Sequence, residues 1–309
     1  MSAKTSSYFI GGVVIALLGS ILFSTKAVFV KLAYRDTPVD AVSLLALRML
    51  IALPFFVAFA WSSSRKEGNI RFTLKQWGYV AAVGCLGYYI SSLLDFLGLQ
   101  YISAGMERLI LFIYPTLVVI MSSLWFKEKV RGMQWVALIV TYTGLALTFA
   151  GELSILGDDQ DDFYLGSLLV FACAFTFAAY VVGSGRLIPV LGAAKFNSYA
   201  MSFASIGVLL HFFISSDGES LFQFTPLVYG YSFSMAIFST VIPSFLITEG
   251  IKRIGPGNAS IVASIGPVST LVQANLFLNE PVYALQVAGT IIILAGVMLV
   301  GWRPGRTIP

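Results

Sequence analysis

Ten apolar runs, each about as long as a bilayer is thick, decide what this chain can fold into. They are Phe9–Val30, Ala41–Trp61, Trp77–Leu99, Ala104–Phe126, Met133–Ala150, Phe163–Ser184, Asn197–Ser215, Leu227–Ile251, Ala259–Leu278 and Val282–Trp302. A helix needs about 20 apolar residues to cross a hydrocarbon core of roughly 30 Å. Barrel strands would be about half that length and would alternate in polarity. These runs are continuous, so helices are predicted. Apolar residues make up 58% of the chain and charged residues only 11%, against roughly a quarter charged in a soluble domain. The mean hydropathy of +0.86 agrees. The solvent over most of the chain is therefore lipid. The first run is too long for a signal-peptide core, and Lys31 and Arg35 follow it with no small-residue cleavage site, so it reads as a retained span.

Charge sets the expected orientation, because basic residues in short loops stay on the cytoplasmic side. With the N-terminus inside, the N-tail, four loops and the C-tail hold 14 of the 19 Lys and Arg residues, from Lys4 through Arg306. The acids gather on the other side, at Asp36, Asp40, Glu152, Asp158, Asp159, Asp161, Asp162, Asp217 and Glu219. An even number of spans with both termini cytoplasmic follows, in the plasma (inner) membrane. The net charge of +4 is thus a topology signal and does not call for a nucleic-acid partner.

A shift of 152 residues superposes Gly98 on Gly250, Gly105 on Gly257, Pro115 on Pro267, Glu128 on Glu280, Gln134 on Gln286 and Gly144 on Gly296. Each half holds five runs. Five is odd, so the second half enters the membrane from the opposite side. The predicted fold is an all-α polytopic membrane protein of ten transmembrane helices in two inverted five-helix repeats, residues 9–150 and 163–302. An acidic extracytoplasmic linker, 151–162, joins them. Inverted repeats are a common transporter construction, with the binding site near the midplane.

The doubled pattern Ser103-Ala104-Gly105, Pro115, Glu128, Gln134, Gly144 and Gly257-Asn258-Ala259-Ser260, Pro267, Glu280, Gln286, Gly296 resembles the EamA-like family of the drug/metabolite transporter superfamily. Phe29-Val30-Lys31, Pro38 and Arg48 fit the family's opening. The resemblance runs over roughly residues 10–302 and implies a ten-helix inverted-repeat fold. It also implies export, or sometimes uptake, of amino acids and other metabolites. Met106-Glu107-Arg108 is more charged than that family's usual helix entrance.

Ionisable groups inside spans are expensive, so they are candidate site residues. Lys26, Arg48 and Asp95 fall at similar depth in the outer half and are expected to meet, either as a static lock or as a cluster that releases one partner to a zwitterionic substrate. Tyr88, Tyr114 and Tyr180 lie deeper than an interfacial belt and are candidates to line the substrate cavity. Glu249 and the lone His211 are candidates for proton coupling, with structural roles as the alternative. Pro115 and Pro267 are expected to kink spans four and nine as paired hinges. Glu128 and Glu280, each just past a span, are expected to cap a helix or clasp a turn.

Cys85 and Cys173 offer no metal-ligand spacing, and no cofactor is implied. There is no Walker A motif, so energy comes from a gradient or the protein is a facilitator. A small-molecule substrate and membrane lipid are the expected partners. Nothing in the sequence sets an oligomeric state. A channel, or a membrane-embedded enzyme, is the alternative; no pair of intramembrane catalytic groups supports the latter.

Overall fold

The computed structural model describes residues 3–65, 72–126, 132–156, 160–185, 187–215, 221–263 and 265–301. Every regular element among them is helical. The order is α1 (Ala3–Asp36), α2 (Ala41–Ser64), α3 (Leu74–Gly84), α4 (Ser91–Gly98), α5 (Ala104–Leu111), α6 (Tyr114–Phe126), α7 (Gly132–Leu156), α8 (Gln160–Ser184), α9 (Ile188–Leu191), α10 (Ala193–Ser215), α11 (Pro226–Ala236), α12 (Ile242–Ala263), α13 (Ile265–Leu278) and α14 (Ala284–Gly301). Seven helices are long and apolar enough to cross a membrane: Tyr8–Asp36, Ala41–Ser64, Leu74–Gly98, Ala104–Trp125, Asp161–Ser184, Ala194–Ser215 and Pro226–Ile247. Three shorter apolar helices, Leu138–Gly151, Ile265–Leu278 and Ala284–Gly296, occupy the fifth, ninth and tenth runs.

Local chemistry explains the helix starts. Asp40 accepts from the Val42 and Ser43 amides at 2.8 and 3.0 Å and opens α2. Thr73 and Gln76 exchange side-chain bonds with each other's backbone and open α3, a capping box. Asp161 and Asp162 sit exposed in the first turn of α8, where the helix dipole favours negative charge. Asp158 and Asp159 lie outside the described residues.

Two π-helical turns interrupt the bundle, Cys85–Ile90 between α3 and α4 and Ile237–Val241 between α11 and α12. In each, a backbone amide reaches five residues back, Ser91 to Leu86 and Ile242 to Ile237. Their first residues are separated by the same 152 positions that superpose the sequence motifs. Such turns tend to mark functional positions.

Several boundaries differ from the sequence expectation. The first helix continues past Val30 to Asp36, because polar groups meet it at that end. Tyr34 donates to the Phe96 carbonyl at 2.8 Å, Lys31 to the Ile102 carbonyl at 3.1 Å, and Tyr231 to the Asp36 carboxylate. Helix α12 runs through 252–258, read from sequence as a turn between spans eight and nine. There Gly12 of α1 admits Arg253 and Ile254, a contact so close that a Cβ at position 12 would lie 2.5 Å from Ile254 Cγ2.

Pro115 does not sit inside a continuous helix. The fourth span breaks at Phe112–Ile113, and Pro115 is the second residue of α6. Amides of a helix's first turn have no intrahelical acceptor, so proline sits there without loss. Pro267 lies in helical residues 265–278, and residue 264 before them lies outside the described residues. Prolines inside helices are Pro54 in α2 and Pro256 in α12.

Glycines let helices pack closely, in places backbone on backbone. A Cβ at Gly289 of α14 would lie 2.0 Å from Thr148 Oγ1 and 2.6 Å from the Gly144 carbonyl of α7. A Cβ at Gly98 of α4 would lie 3.0 Å from the Gly166 carbonyl of α8. Small residues of this kind replace the hydrophobic drive that lipid cannot supply. The outward face is apolar, with Leu168, Phe213, Ile214, Leu276 and Ile291 among its most exposed side chains.

Candidate functional site: a buried ion cluster between helices

Lys26, on α1, carries its ammonium into the bundle. Its Nζ lies 2.6 Å from Asp95 Oδ2 of α4 and 3.4 Å from Glu107 Oε1 of α5. Asp95 and Glu107 are fully buried, and Lys26 nearly so. The predicted Lys26–Asp95 contact is thus present, and a second carboxylate joins it. Glu107 carried one advance signal, the unusual charge of Met106-Glu107-Arg108. Its direction on the short helix was not legible.

Arg48 departs from expectation. Its Nε donates to Thr240 Oγ1 at 3.0 Å, and its guanidinium lies over Phe96 at 5.4 Å. It sits within electrostatic reach of Asp95 without pairing to it. Thr240 belongs to the second π turn, where its hydroxyl also bonds five residues back to the Met235 carbonyl at 3.0 Å. Arg108 lies over Phe23 at 5.2 Å and against the backbone at Gly266. Arg48 Nη1 and Arg108 Nε are buried donors with no acceptor among the described residues.

The tyrosines form a second group. Tyr88, in the first π turn, donates to Asn197 Oδ1 at 2.7 Å and receives Tyr180 OH at 3.2 Å. The Tyr88 and Tyr180 rings lie 4.8 Å apart, and Tyr114 meets Phe177 edge-on at 5.1 Å. Seven residues along the same helical stretch separate Tyr88 from Asp95, about 10 Å at helical rise. An aromatic, hydroxyl-bearing layer therefore underlies the ion cluster.

Glu249 and His211 are not part of either group. Glu249 accepts from Arg253 Nε at 2.8 Å, one turn along α12, and both side chains are partly exposed. His211 stacks edge-on against Tyr89 at 5.7 Å.

Glu280 does what its position suggested, but across the molecule. Asn279, in the left-handed region at φ 56°, ends α13 and turns the chain. The Glu280 amide then bonds back to the Ala274 carbonyl at 3.3 Å. Its carboxylate accepts from the Ala104 and Gly105 amides at 3.0 and 3.3 Å, at the N-terminus of the helix that carries Glu107. Carboxylates are favoured there by the helix dipole and by otherwise orphaned N–H groups. Glu280→Ala is expected to lower stability by about 1 kcal/mol, read as a lower melting temperature in detergent, with Glu280→Asp showing a smaller loss. Glu128 lies outside the described residues.

A helical bundle that buries ion pairs between apolar spans defines an integral membrane protein. The chain belongs to the EamA-like transporter family, whose model matches residues 10–150 and 164–302. It is 30% identical over 284 residues to a Bacillus subtilis (strain 168) protein named "Uncharacterized transporter YcbK", covering 90% of this chain and 88% of that one. It is 24% identical to an uncharacterized transporter of Clostridium kluyveri, over 92% of this chain and 91% of the relative. A solved structure titled "Crystal structure of protein" shares the fold at a TM-score of 0.63 and 16% identity, covering 94% of this chain and 96% of the other.

Proposed function

We propose that the protein is a secondary transporter that moves amino acids or related zwitterionic metabolites by alternating access, most simply as an exporter. In this reading ten helices cross the inner membrane as two inverted repeats, 9–150 and 163–302. Residues 151–162 link them outside, and both termini are cytoplasmic. The two-part family match and the equal spacing of the π turns support the duplication.

The observation that carries the reading is the buried Lys26–Asp95–Glu107 cluster with two open arginine donors beside it. An α-amino acid needs acceptors for its ammonium and donors for its carboxylate. Asp95 and Glu107 supply the first, and Arg48 Nη1 and Arg108 Nε the second. Lys26 holds the acidic pair while the pocket is empty. Tyr88, Tyr114 and Tyr180 then face the rest of the molecule with rings and hydroxyls.

Polar ties at both ends suit alternating access. On the outer side are Tyr231–Asp36, Lys31–Ile102 and Glu280–Ala104. On the inner side Ser64 and Tyr199 share a 2.7 Å bond, and Tyr79 donates to the Gly183 carbonyl at 3.3 Å. The helix break before Pro115 is one hinge in this reading, and Pro267, its partner in the second repeat, is the other.

The test is a proteoliposome screen with radiolabelled L-amino acids, with and without a proton gradient. Saturable flux of one or a few compounds is expected. Unitary currents in planar bilayers would replace the transporter by a channel.

A further inference from the structure

Asp95 and Glu107 press on one ammonium from two helices, at 2.6 and 3.4 Å, so that two buried carboxyl groups share a single cation. Ionised carboxylates only accept, so two of them in contact need a proton or a cation between them. Lys26 cannot serve both equally. It sits at 2.6 Å from Asp95 and at 3.4 Å from Glu107. Neither Glu107 oxygen has another donor among the described residues.

The geometry points to the Asp95–Glu107 pair as the driving-ion site, with a proton as the ion and Glu107 as its carrier. Asp95 stays paired with Lys26. The protonated Glu107 carboxyl donates to Asp95. When the proton leaves, Glu107 becomes an anion that competes with Asp95 for Lys26 and for a substrate ammonium. Proton and ammonium thus exclude one another at Glu107, which is the logic of antiport. The other two candidates for this task meet other partners, Glu249 at Arg253 and His211 at Tyr89.

The groups that face the pair set the charge balance. They are Lys26 and the Tyr34 hydroxyl from α1, Arg48 from α2, Arg108 from α5, the Cys173 thiol from α8 and the Tyr114 hydroxyl from α6, which lies near Arg108. Cys173 Sγ in turn contacts Ser91 Oγ at 3.2 Å. From α13 the neighbouring groups are uncharged, at Gly266 and Thr270. With both carboxylates ionised the three cations exceed them by one charge, and a proton on Glu107 raises that excess to two, so release of the proton is the step that lowers the buried charge.

This inference rests on the transporter reading, so its test has two arms. The first needs no substrate. Infrared difference spectra of the protein in liposomes are recorded between mildly acidic and mildly alkaline buffer. One band from a protonated buried carboxyl is expected. It should vanish in Glu107→Gln, shift in Asp95→Asn and persist in Glu249→Gln. Persistence in Glu107→Gln, or no such band in the unmodified protein, overturns the assignment.

The second arm uses liposomes loaded with a mixture of labelled L-amino acids. An inward proton gradient should speed efflux about tenfold in the unmodified protein. Glu107→Gln should lose that acceleration and keep amino-acid exchange. Loss of exchange as well would make Glu107 a substrate ligand and overturn the coupling role. If the unmodified protein exchanges no amino acid, the substrate reading falls instead, and the carboxyl band alone decides the proton site.

Discussion

Lys26→Ala should abolish transport and also weaken the fold, while Asp95→Asn should abolish transport with a smaller loss of stability. The asymmetry follows from the distances. Removing Lys26 leaves two fully buried carboxylates without the ammonium that holds them. Breaking a buried pair from one side costs about 3–5 kcal/mol. Removing the Asp95 charge leaves Lys26 with Glu107, 3.4 Å away. Thermal melting in detergent, alongside proteoliposome flux, checks both statements. A static lock behaves differently. Exchanging the two residues, Lys26→Asp with Asp95→Lys, would then restore stability and flux together. For a transport site the exchange restores stability alone. Equal flux in the single variants and the parent would remove the cluster from the mechanism.

Gly289→Val should leave little folded protein. Its Cβ would overlap Thr148 Oγ1 at 2.0 Å and the Gly144 carbonyl at 2.6 Å. The side chain of Thr148 can turn away, but the backbone of Gly144 cannot. Helices α7 and α14 must separate, and overpacking of this kind costs roughly 1–3 kcal/mol or more. In lipid no hydrophobic gain offsets the lost close contact. Fluorescence-detected size exclusion should show aggregate for Gly289→Val. A single sharp peak is expected for Gly230→Ala, where nothing lies within 4 Å of an added Cβ. A sharp peak for both would mean that α7 and α14 do not pack as described.

Much of this was legible from residue order. The apolar runs marked the helices because lipid tolerates only helices and closed barrels, and these runs are too long and too continuous for barrel strands. Counting turns from the span ends brought Lys26 and Asp95 to one depth, and they touch. Glu280 announced a cap by its position, although the helix it caps begins 176 residues earlier. Other features were not legible for physical reasons. A π turn has no composition of its own, so Cys85–Ile90 and Ile237–Val241 read as ordinary helix. Arg48 was expected beside Asp95, but its acceptor Thr240 is positioned by one of those turns. Pro115 signals a bend equally well as an interior kink or a first-turn residue, and only the break at Phe112–Ile113 separates the two. Glu107 was hidden by its short helix, on which eight residues leave the inward face undefined.

The two wide turns carry one further implication. Each holds a surplus residue relative to an ordinary helix, so everything downstream is rotated by roughly 100° from where a regular spiral would place it. Asp95 faces Lys26 only because of that extra twist. Excising a single residue from 85–90 would turn the wide turn into an ordinary one and leave the carboxylate in place, whereas tightening the turn at full length would swing it toward a different neighbour. The alignment of the charges depends on the width of that turn.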